Sequence, residues 1–294
     1  MPVRRERWET PNKDFLDVDH VPTTTAGQPI LIILHGLEGS SRAKQARGFL
    51  HAAHHQGWRG LAINFRSCSG TPNRLRRSYH AGETSDLHWV IQRVAAQYPQ
   101  APICCVGMSL GGNVLLKYLG EQGRDALATL KAAVAISTPF DLAISARAFE
   151  WGFFNRLYMS RLLGTLKQKT VAKLTRYPDL VDQERLAAVR TIREFDELVT
   201  APVHGFANGA DYWTASSCRR FLAAIRRPTL LISAVDDPLV PFDVSLREDA
   251  ARNPYLTAEF PDAGGHVGFV SGSPHHPIFW AEQRAFDFFK SHVR

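Results

Sequence analysis

The amino-acid sequence predicts an α/β fold in which a mainly parallel central sheet is flanked by helices and interrupted by an inserted helical cap. From residue 29 to residue 137, short apolar runs alternate with helical patterns, which is typical of βαβ units. After Pro139 the pattern is helical and amphipathic up to residue 227, without a convincing strand. Alternation then resumes, so a core, an insertion and a second part of the same core is the simplest interpretation.

Each predicted strand is a short apolar run, and each predicted helix has apolar residues spaced three or four positions apart. In chain order, the predicted strands cover residues 29–34, 60–66, 101–106, 131–137, 228–234 and 256–260. The predicted core helices cover residues 42–55, 83–98, 113–119 and 279–292. The expected domain organisation is therefore a first core part at 1–138, with 1–25 as an N-terminal extension, a cap at 139–227 and a second core part at 228–294. Disorder is expected only in the first dozen residues.

Composition and charge limit the function classes. Of the 294 residues, 45% are hydrophobic and 21% are charged, which is typical of globular proteins. No signal peptide and no run of about 18 apolar residues is visible, and the four cysteines have neither metal-ligand nor disulfide-framework spacing. We therefore expect a cytoplasmic protein without stable membrane insertion, as a monomer or weak homo-oligomer. The net charge of +7 comes from scattered arginines, so we predict no nucleic-acid binding.

The segment Gly107-Met108-Ser109-Leu110-Gly111 places a serine between two glycines, where a predicted strand meets a predicted helix. A G-x-S-x-G pattern alone arises by chance in about one chain in ten of this length. Here the strand, the tight turn and the helix follow in the order that exposes a nucleophilic hydroxyl. The glycines remove Cβ atoms where strand and helix approach each other, and we predict that Ser109 is the nucleophile.

A nucleophilic serine needs an imidazole to accept its proton and a carboxylate to orient that imidazole. Ligands of open α/β sheets bind beyond the carboxyl ends of the strands. There the chain supplies Asp237, after strand 228–234, and His266, after strand 256–260. The order Ser109, Asp237, His266 is the one expected of an α/β-hydrolase arrangement.

Each of these assignments has a rival. Asp236 competes with Asp237, since only one carboxylate can point at the imidazole while the other caps a turn. Asp141 is a weaker candidate for the acid, because it more simply starts the cap. The histidines that compete with His266 lie in or near the final helix region: His275, His276 and His292.

Two backbone N–H groups are predicted to bind an oxyanion. Leu110 follows the nucleophile at a helix N-terminus, where the helix dipole favours negative charge. The second donor is assigned to Leu37 in the loop after the first core strand, with Gly36 and Gly39 allowing close backbone approach. His35, in the same loop, is expected to make structural hydrogen bonds.

Six motifs follow one another along the chain or lie in the insertion: HGLEGSS, NFRSCSGTPN, GMSLGGNVLLKYLGE, AVDDPLVP, GGHVGF and REFDELVTAPVHGFANGADYWTASS. Together they resemble the YheT-like branch of the α/β-hydrolase superfamily, over a region from about Pro29 to the C-terminus. This resemblance implies an α/β-hydrolase fold and a cytosolic serine hydrolase of carboxylesterase type, without metal or organic cofactor. Some relatives act on lipid or phospholipid esters. One departure is Ser67, which replaces a family glycine and leaves its loop conformation open.

Other residues are expected to support the site. Arg66, Glu83 and Asp86 resemble family positions behind the reacting groups, the alternative being an ion pair among them; Gly36, His35 and Asp236 belong to the same supporting set. In the cap, docking onto the core is favoured over pocket lining for four residues: Phe195, Asp196, His204 and Tyr212.

No metal site is predicted. His51, His54 and His55 have helical spacing, but no carboxylate or cysteine completes a ligand set, so a polar helix face is expected. Cys68 has no neighbouring base in the sequence and is predicted to be a small packed residue.

The sequence hypothesis is an enzyme that hydrolyses carboxylic esters of small molecules or lipids, with short to medium acyl chains, through an acyl-enzyme on Ser109. The alternatives are an acyltransferase or thioesterase using the same three side chains, and a non-catalytic binding protein with a hydrolase fold.

Overall fold

The computed structural model describes residues 2–23, 27–273 and 275–293. Its central feature is an eight-stranded sheet with strand order β1-β2-β4-β3-β5-β6-β7-β8. The strands from β3 to β8 are mutually parallel, whereas β2 pairs antiparallel with both β1 and β4. Their bounds are β1 Arg4–Glu9, β2 Phe15–Val21, β3 Ile30–Leu34, β4 Arg59–Asn64, β5 Ile103–Met108, β6 Leu130–Ile136, β7 Thr229–Ile232 and β8 Leu256–Glu259.

Helices cover both faces of the sheet, as the parallel strands require. Successive side chains of a strand point to opposite faces. Cys105 accordingly packs in the apolar cluster beneath α2 and α3, while Cys104 packs in the cluster beneath α1 and α11. The core helices are α1 Lys44–His55, α2 Ser85–Gln97, α3 Leu110–Gln122, α10 Ser245–Ala251 and α11 Trp280–Lys290.

The expected disorder of the first dozen residues is wrong, because β1 is an edge strand of the main sheet. Its charged side chains are paired across the strands: Arg5 and Arg7 each make a two-pronged contact with the carboxylate directly opposite, on Asp19 and Asp17. Trp8 is buried in the core. The run RRERWE has too little apolar alternation to predict a strand. The strand with which it pairs, β2, lies further along the chain, so no local pattern indicates the pairing.

Residues 139–227, all of which the structure describes, contain helices and no strand. Part of this insertion has its own small apolar core. A π-helical turn, Asp196–Thr200, continues from the helix before it. The helices are α4 Leu142–Phe149, α5 Phe153–Leu174, α6 Gln183–Ala188, α7 Ile192–Phe195, α8 Ala201–His204 and α9 Gly209–Ser216, followed by a 3₁₀ segment, Cys218–Ala224.

A short hairpin before the last helix was not predicted from the sequence. Its strands are β9 Val270–Ser273 and β10 His276–Phe279. Both strands are exposed, so they lack the apolar alternation that marks a half-buried strand. No helix in the described part of the chain is long and apolar enough to cross a membrane.

Candidate active site

Ser109 occupies a sharp turn between β5 and α3. Its backbone has φ 51° and ψ −121°, a left-handed conformation that non-glycine residues rarely adopt. The flanking glycines are required by space: a Cβ on Gly107 would overlap the backbone of Gly111, and a Cβ on Gly111 would lie 2.5 Å from the carbonyl oxygen of Leu34. The strained turn therefore holds the Ser109 hydroxyl at the carboxyl end of β5.

The structure brings Ser109, His266 and Asp237 into one hydrogen-bonded chain. Nε2 of His266 lies 3.1 Å from Oγ of Ser109, and Nδ1 lies 2.9 Å from Oδ2 of Asp237. Asp237 is buried and also accepts hydrogen bonds from the backbone N–H groups of Leu239 and Val240. An imidazole held in this way donates from Nδ1 and can accept the serine proton at Nε2.

Asp236 positions the loop that carries His266. Its Oδ1 accepts hydrogen bonds from the backbone N–H groups of Gly264, at 2.9 Å, and Gly265, at 2.8 Å. On the other side of His266, the N–H of Val267 donates to Oγ of Ser137, at 3.1 Å. Sequence reasoning missed Ser137, although it directly follows β6 at the edge where ligands of such sheets bind.

The rival acid and bases lie elsewhere. The Asp141 side chain accepts hydrogen bonds from the first turn of α4 and caps that helix. His276 lies in the exposed strand β10, and His292 bonds to the end of α11. His275, also exposed, directly precedes β10.

The loop after β3 lies against Ser109, as expected for a second oxyanion donor. A Cβ on Gly36 would lie 3.3 Å from the Ser109 Cβ, and Leu37 borders the cavities at Ser109. Leu110 is the first residue of α3, so its N–H is free of the intrahelical ladder. His35 accepts from the N–H of Phe65 and donates to the Gly36 carbonyl oxygen. Burial lowers its pKa to about 4, which keeps the ring neutral for both bonds.

Two cavities meet at Ser109. The larger, of about 1080 Å³, runs beneath the helical insertion. The smaller, of about 700 Å³, lies on the His266 side. Both are open to solvent in part, and they share Leu37, Ser109 and Phe149. Ser109 therefore has open space on two sides.

The four predicted insertion residues all line the larger cavity: Phe195, Asp196, His204 and Tyr212. A residue of the insertion can therefore both dock onto the core and line this cavity. The Tyr212 hydroxyl accepts a hydrogen bond from the N–H of Ala81 in the core. Asp196 is held inside the insertion by Thr200 and Trp213, and burial raises its pKa to about 6.

Arg66 forms a buried ion-pair network behind the site. Its guanidinium contacts both oxygens of Asp86, at 2.6 and 2.7 Å, and one oxygen of Asp14, at 2.5 Å. Glu83 does not join this network and instead pairs with Arg77. Arg66 also borders the larger cavity. The ion pair, the alternative interpretation of these residues, thus forms between Arg66 and Asp86 and does not include Glu83.

A polar cluster next to Leu37 gave no signal in the sequence. Nζ of Lys169, from α5, lies 2.9 Å from both carboxylate oxygens of Glu38 and 3.2 Å from Sγ of Cys68. Tyr79 donates to Oε1 of Glu38 and accepts from its N–H. Burial raises the pKa of Cys68 to about 11, so the thiol is neutral at pH 7. The cluster ties the helical insertion to the predicted oxyanion loop.

Ser67 adopts φ 65°, a conformation that favours glycine. This explains why a glycine suits the position, and hydrogen bonds with Asn73 hold the serine there: Oγ donates to the side-chain oxygen at 2.6 Å and accepts from the N–H at 3.0 Å. The loop keeps the shape that a glycine would allow.

Among residues 2–23, 27–273 and 275–293, no group of three His, Cys, Asp or Glu side chains is arranged to hold a metal ion. The predicted polar face of α1 is present: His51 and His55 contact each other through Nε2 atoms 3.1 Å apart and are exposed.

Comparison with known proteins agrees with this architecture. Residues 29–273 match the family model described as the alpha/beta hydrolase fold. YheT of Escherichia coli (strain K12), described as an esterase, is 39% identical over 98% of this chain and 85% of its own length. Phospholipase ABHD3 of Homo sapiens is 31% identical over 83% of this chain and 59% of its own length, and monoacylglycerol lipase of Saccharomyces cerevisiae is 29% identical over 90% and 59%. The chain thus spans 59% of the length of each of these two eukaryotic relatives.

Among solved structures, Pyrococcus furiosus esterase Pf2001 superposes with a TM-score of 0.63 at 18% identity, covering 100% of this chain and 91% of that one. At this identity the match supports the fold alone. The family match and the similarity to YheT confirm the resemblance inferred from the motifs, and the chain belongs to the YheT-like branch of the α/β-hydrolase family.

Proposed function

We propose that this protein, a carboxylic ester hydrolase by family, cleaves esters through an acyl-enzyme formed on Ser109. The observation that carries the proposal is the continuous hydrogen-bonded chain from the Ser109 hydroxyl through His266 to the buried Asp237 carboxylate. This is the arrangement that activates a serine, and it lies where two cavities meet.

In the first half of the reaction, Oγ of Ser109 attacks the ester carbonyl while Nε2 of His266 takes its proton. Asp237 holds the ring in the required tautomer and stabilises the imidazolium. The N–H groups of Leu110 and Leu37 bind the developing oxyanion. His266 then protonates the alcohol as it leaves. In the second half, water attacks the acyl-enzyme by the same steps and frees Ser109.

The two cavities suggest how a substrate would lie. The lining of the larger one is mainly apolar and includes Leu142, Ala146 and Leu166. We propose that it takes the acyl chain, that the smaller cavity takes the alcohol, and that residues 139–227 act as a cap whose side chains set the accepted chain length. We propose short to medium acyl chains as the substrates of this cavity, and a series of esters of increasing chain length measures the accepted length.

The test is turnover of a p-nitrophenyl ester series, from acetate to palmitate, by wild type and by Ser109→Ala. We expect hydrolysis with a chain-length optimum in wild type and none above buffer in the folded variant. Ser137→Ala is a matched control: it should keep measurable turnover, because Ser137 only supports the His266 loop. Equal turnover by wild type and Ser109→Ala would overturn the proposal. A competing alcohol in the assay separates acyl transfer, which yields a new ester, from hydrolysis.

A further inference from the structure

A patch of large apolar side chains on the helical insertion is open to solvent. Trp151 is 78% exposed and Phe154 is 81% exposed, and Phe153 and Leu157 are exposed beside them. We call these four residues the aromatic patch. A contiguous exposed apolar surface of this kind marks an interaction site more often than a solvated surface.

The patch follows from the orientation of α5. Phe153, Phe154, Leu157 and Arg161 fall at spacings that share one face of a helix, and this face is exposed. The opposite face, with Met159 and Leu163, is buried. The helix is therefore already anchored, and its outward aromatic face is not needed for packing within the chain.

The border of the aromatic patch is positively charged. Arg147, Arg156 and Arg161 are exposed, and none of the three makes an ion pair within the described ranges of the chain. The nearby carboxylate of Glu150 is taken by Arg193. Aromatic and aliphatic side chains rimmed by arginines are typical of surfaces that lie on anionic membranes.

The patch also lies beside the way into the site. Phe149 at the end of α4 and Tyr158 on the exposed face of α5 both line the smaller cavity, together with Ser109 and His266. A surface pressed onto the aromatic patch would thus be close to the opening of the cavity in which the reacting hydroxyl lies.

We propose that the aromatic patch docks on an anionic lipid surface, with its side chains in the headgroup region and the surrounding guanidinium groups against lipid phosphates. A second copy of the chain fits less well. In a two-fold symmetric contact the same patch meets itself, so the arginines of both copies would face each other. The docking needs no turnover and stands apart from the reaction proposed above.

The experiment is flotation of the full chain, as the Ser109→Ala variant, with vesicles of phosphatidylcholine alone and of phosphatidylcholine with phosphatidylglycerol. We expect binding to the anionic vesicles, weakened by salt. Trp151→Ser/Phe154→Ser should reduce this binding at least about tenfold, and Arg147→Gln/Arg156→Gln should reduce it by a similar factor. Val244→Ser, at an exposed apolar site outside the patch, is the matched control and should bind as the parent does.

Folding of the patch variants is checked in the chain that keeps Ser109. There, turnover of p-nitrophenyl acetate should stay at the wild-type rate, because neither Trp151 nor Phe154 lines either of the two cavities at Ser109. Absence of binding to anionic vesicles, or equal binding by parent and patch variants, overturns the proposal. A concentration-dependent dimer that Phe154→Ser abolishes, without vesicle binding, overturns it in favour of a second copy.

Discussion

The contact between Lys169 and Glu38 can be tested by a double-mutant cycle of Lys169→Met and Glu38→Gln. The Glu38 side chain is 2% exposed and that of Lys169 is 29% exposed. Lys169→Met leaves a buried carboxylate without its counter-ion, while Glu38→Gln keeps an oxygen for the Tyr79 hydroxyl. In the double variant no buried charge remains at this contact.

The magnitude follows from burial. Breaking a fully buried ion pair from one side costs about 3–5 kcal/mol. Because water reaches Lys169, we expect Lys169→Met to lower the free energy of unfolding by about 2–3 kcal/mol. The double variant should lose only about 1 kcal/mol. With about 1 kcal/mol lost in Glu38→Gln alone, the expected coupling energy between the two sites is about 2–3 kcal/mol.

A catalytic effect should accompany the loss of stability, because Glu38 adjoins Leu37. Removing one oxyanion donor costs about 10²–10³ in kcat, so a partial displacement of the loop by Lys169→Met should lower kcat about tenfold with little change in KM. The double variant should recover part of that loss. Lys169→Arg, which keeps the charge, should retain more activity than Lys169→Met.

Urea unfolding followed by circular dichroism gives the four free energies, and hydrolysis of p-nitrophenyl acetate gives kcat and KM. Lys167→Met is the matched control, since Lys167 lies on the same helix and binds only backbone carbonyls, of Ala187 and Val189. It should leave kcat unchanged. Additive free energies in the cycle, or an unchanged kcat in Lys169→Met, would refute the coupling of cap and loop.

Three further predictions concern single residues. Ser67→Ala should lose about 2 kcal/mol with its two hydrogen bonds to Asn73, whereas Ser67→Gly should lose about 1 kcal/mol less because it relieves the positive φ; equal losses in urea unfolding would contradict this. Asp236→Ala should lower kcat about tenfold or more by releasing the His266 loop, with an unchanged circular dichroism spectrum, and Asp236→Asn, which keeps an acceptor, should lower it less. Burial raises the pKa of Asp196 to about 6 in the folded protein, above its unfolded value, so the carboxylate destabilises the fold progressively as pH rises from about 4 to 6. The gain in unfolding free energy from Asp196→Asn should thus be larger at pH 7 than at pH 4.5, by about 2 kcal/mol, and an equal gain at both pH values would refute it.

Much of the parallel sheet could be predicted from the sequence because its strands are buried on both faces. The run Ile30–Leu34 is apolar at every position and wholly buried. A run that is so short and so apolar predicts a buried strand rather than a helix. The edge strand Arg4–Glu9 could not be predicted in the same way. Its arginines pair with carboxylates of a strand ten or more residues later, and no local pattern in the sequence indicates those pairs.

The site shows the same division. Ser109, Asp237 and His266 each follow a strand and could be named as neighbours, because the carboxyl ends of parallel strands meet at one edge. The contact of Lys169 with Glu38 joins residues 131 positions apart, and the support of the His266 loop by Ser137 spans 130. The first contact depends on how the insertion folds back over the sheet, and nothing in the sequence around Lys169 indicates it. The second depends on how the loop after β8 lies against the end of β6, and for it the sequence offers only the position of Ser137 directly after a strand.

Backbone strain in this molecule is concentrated where the strands end. The loops after β3, β4, β5 and β6 each contain a non-glycine residue with positive φ: Glu38, Ser67, Ser109 and Ser137. Such a conformation costs on the order of 1–3 kcal/mol and persists only where neighbours impose it. Here the neighbours are visible for three of the four: Tyr79 holds Glu38, Asn73 holds Ser67, and the Gly107–Gly111 contact holds Ser109. The four turns direct backbone and side chains to one edge of the sheet. Positive φ is usually predicted from a glycine, so a glutamate and three serines at these positions did not indicate it. The strain is therefore best explained as the cost of bringing the candidate site together at one edge of an otherwise regular sheet. Ser67→Gly tests whether the strain at one of these turns can be removed without loss of the site.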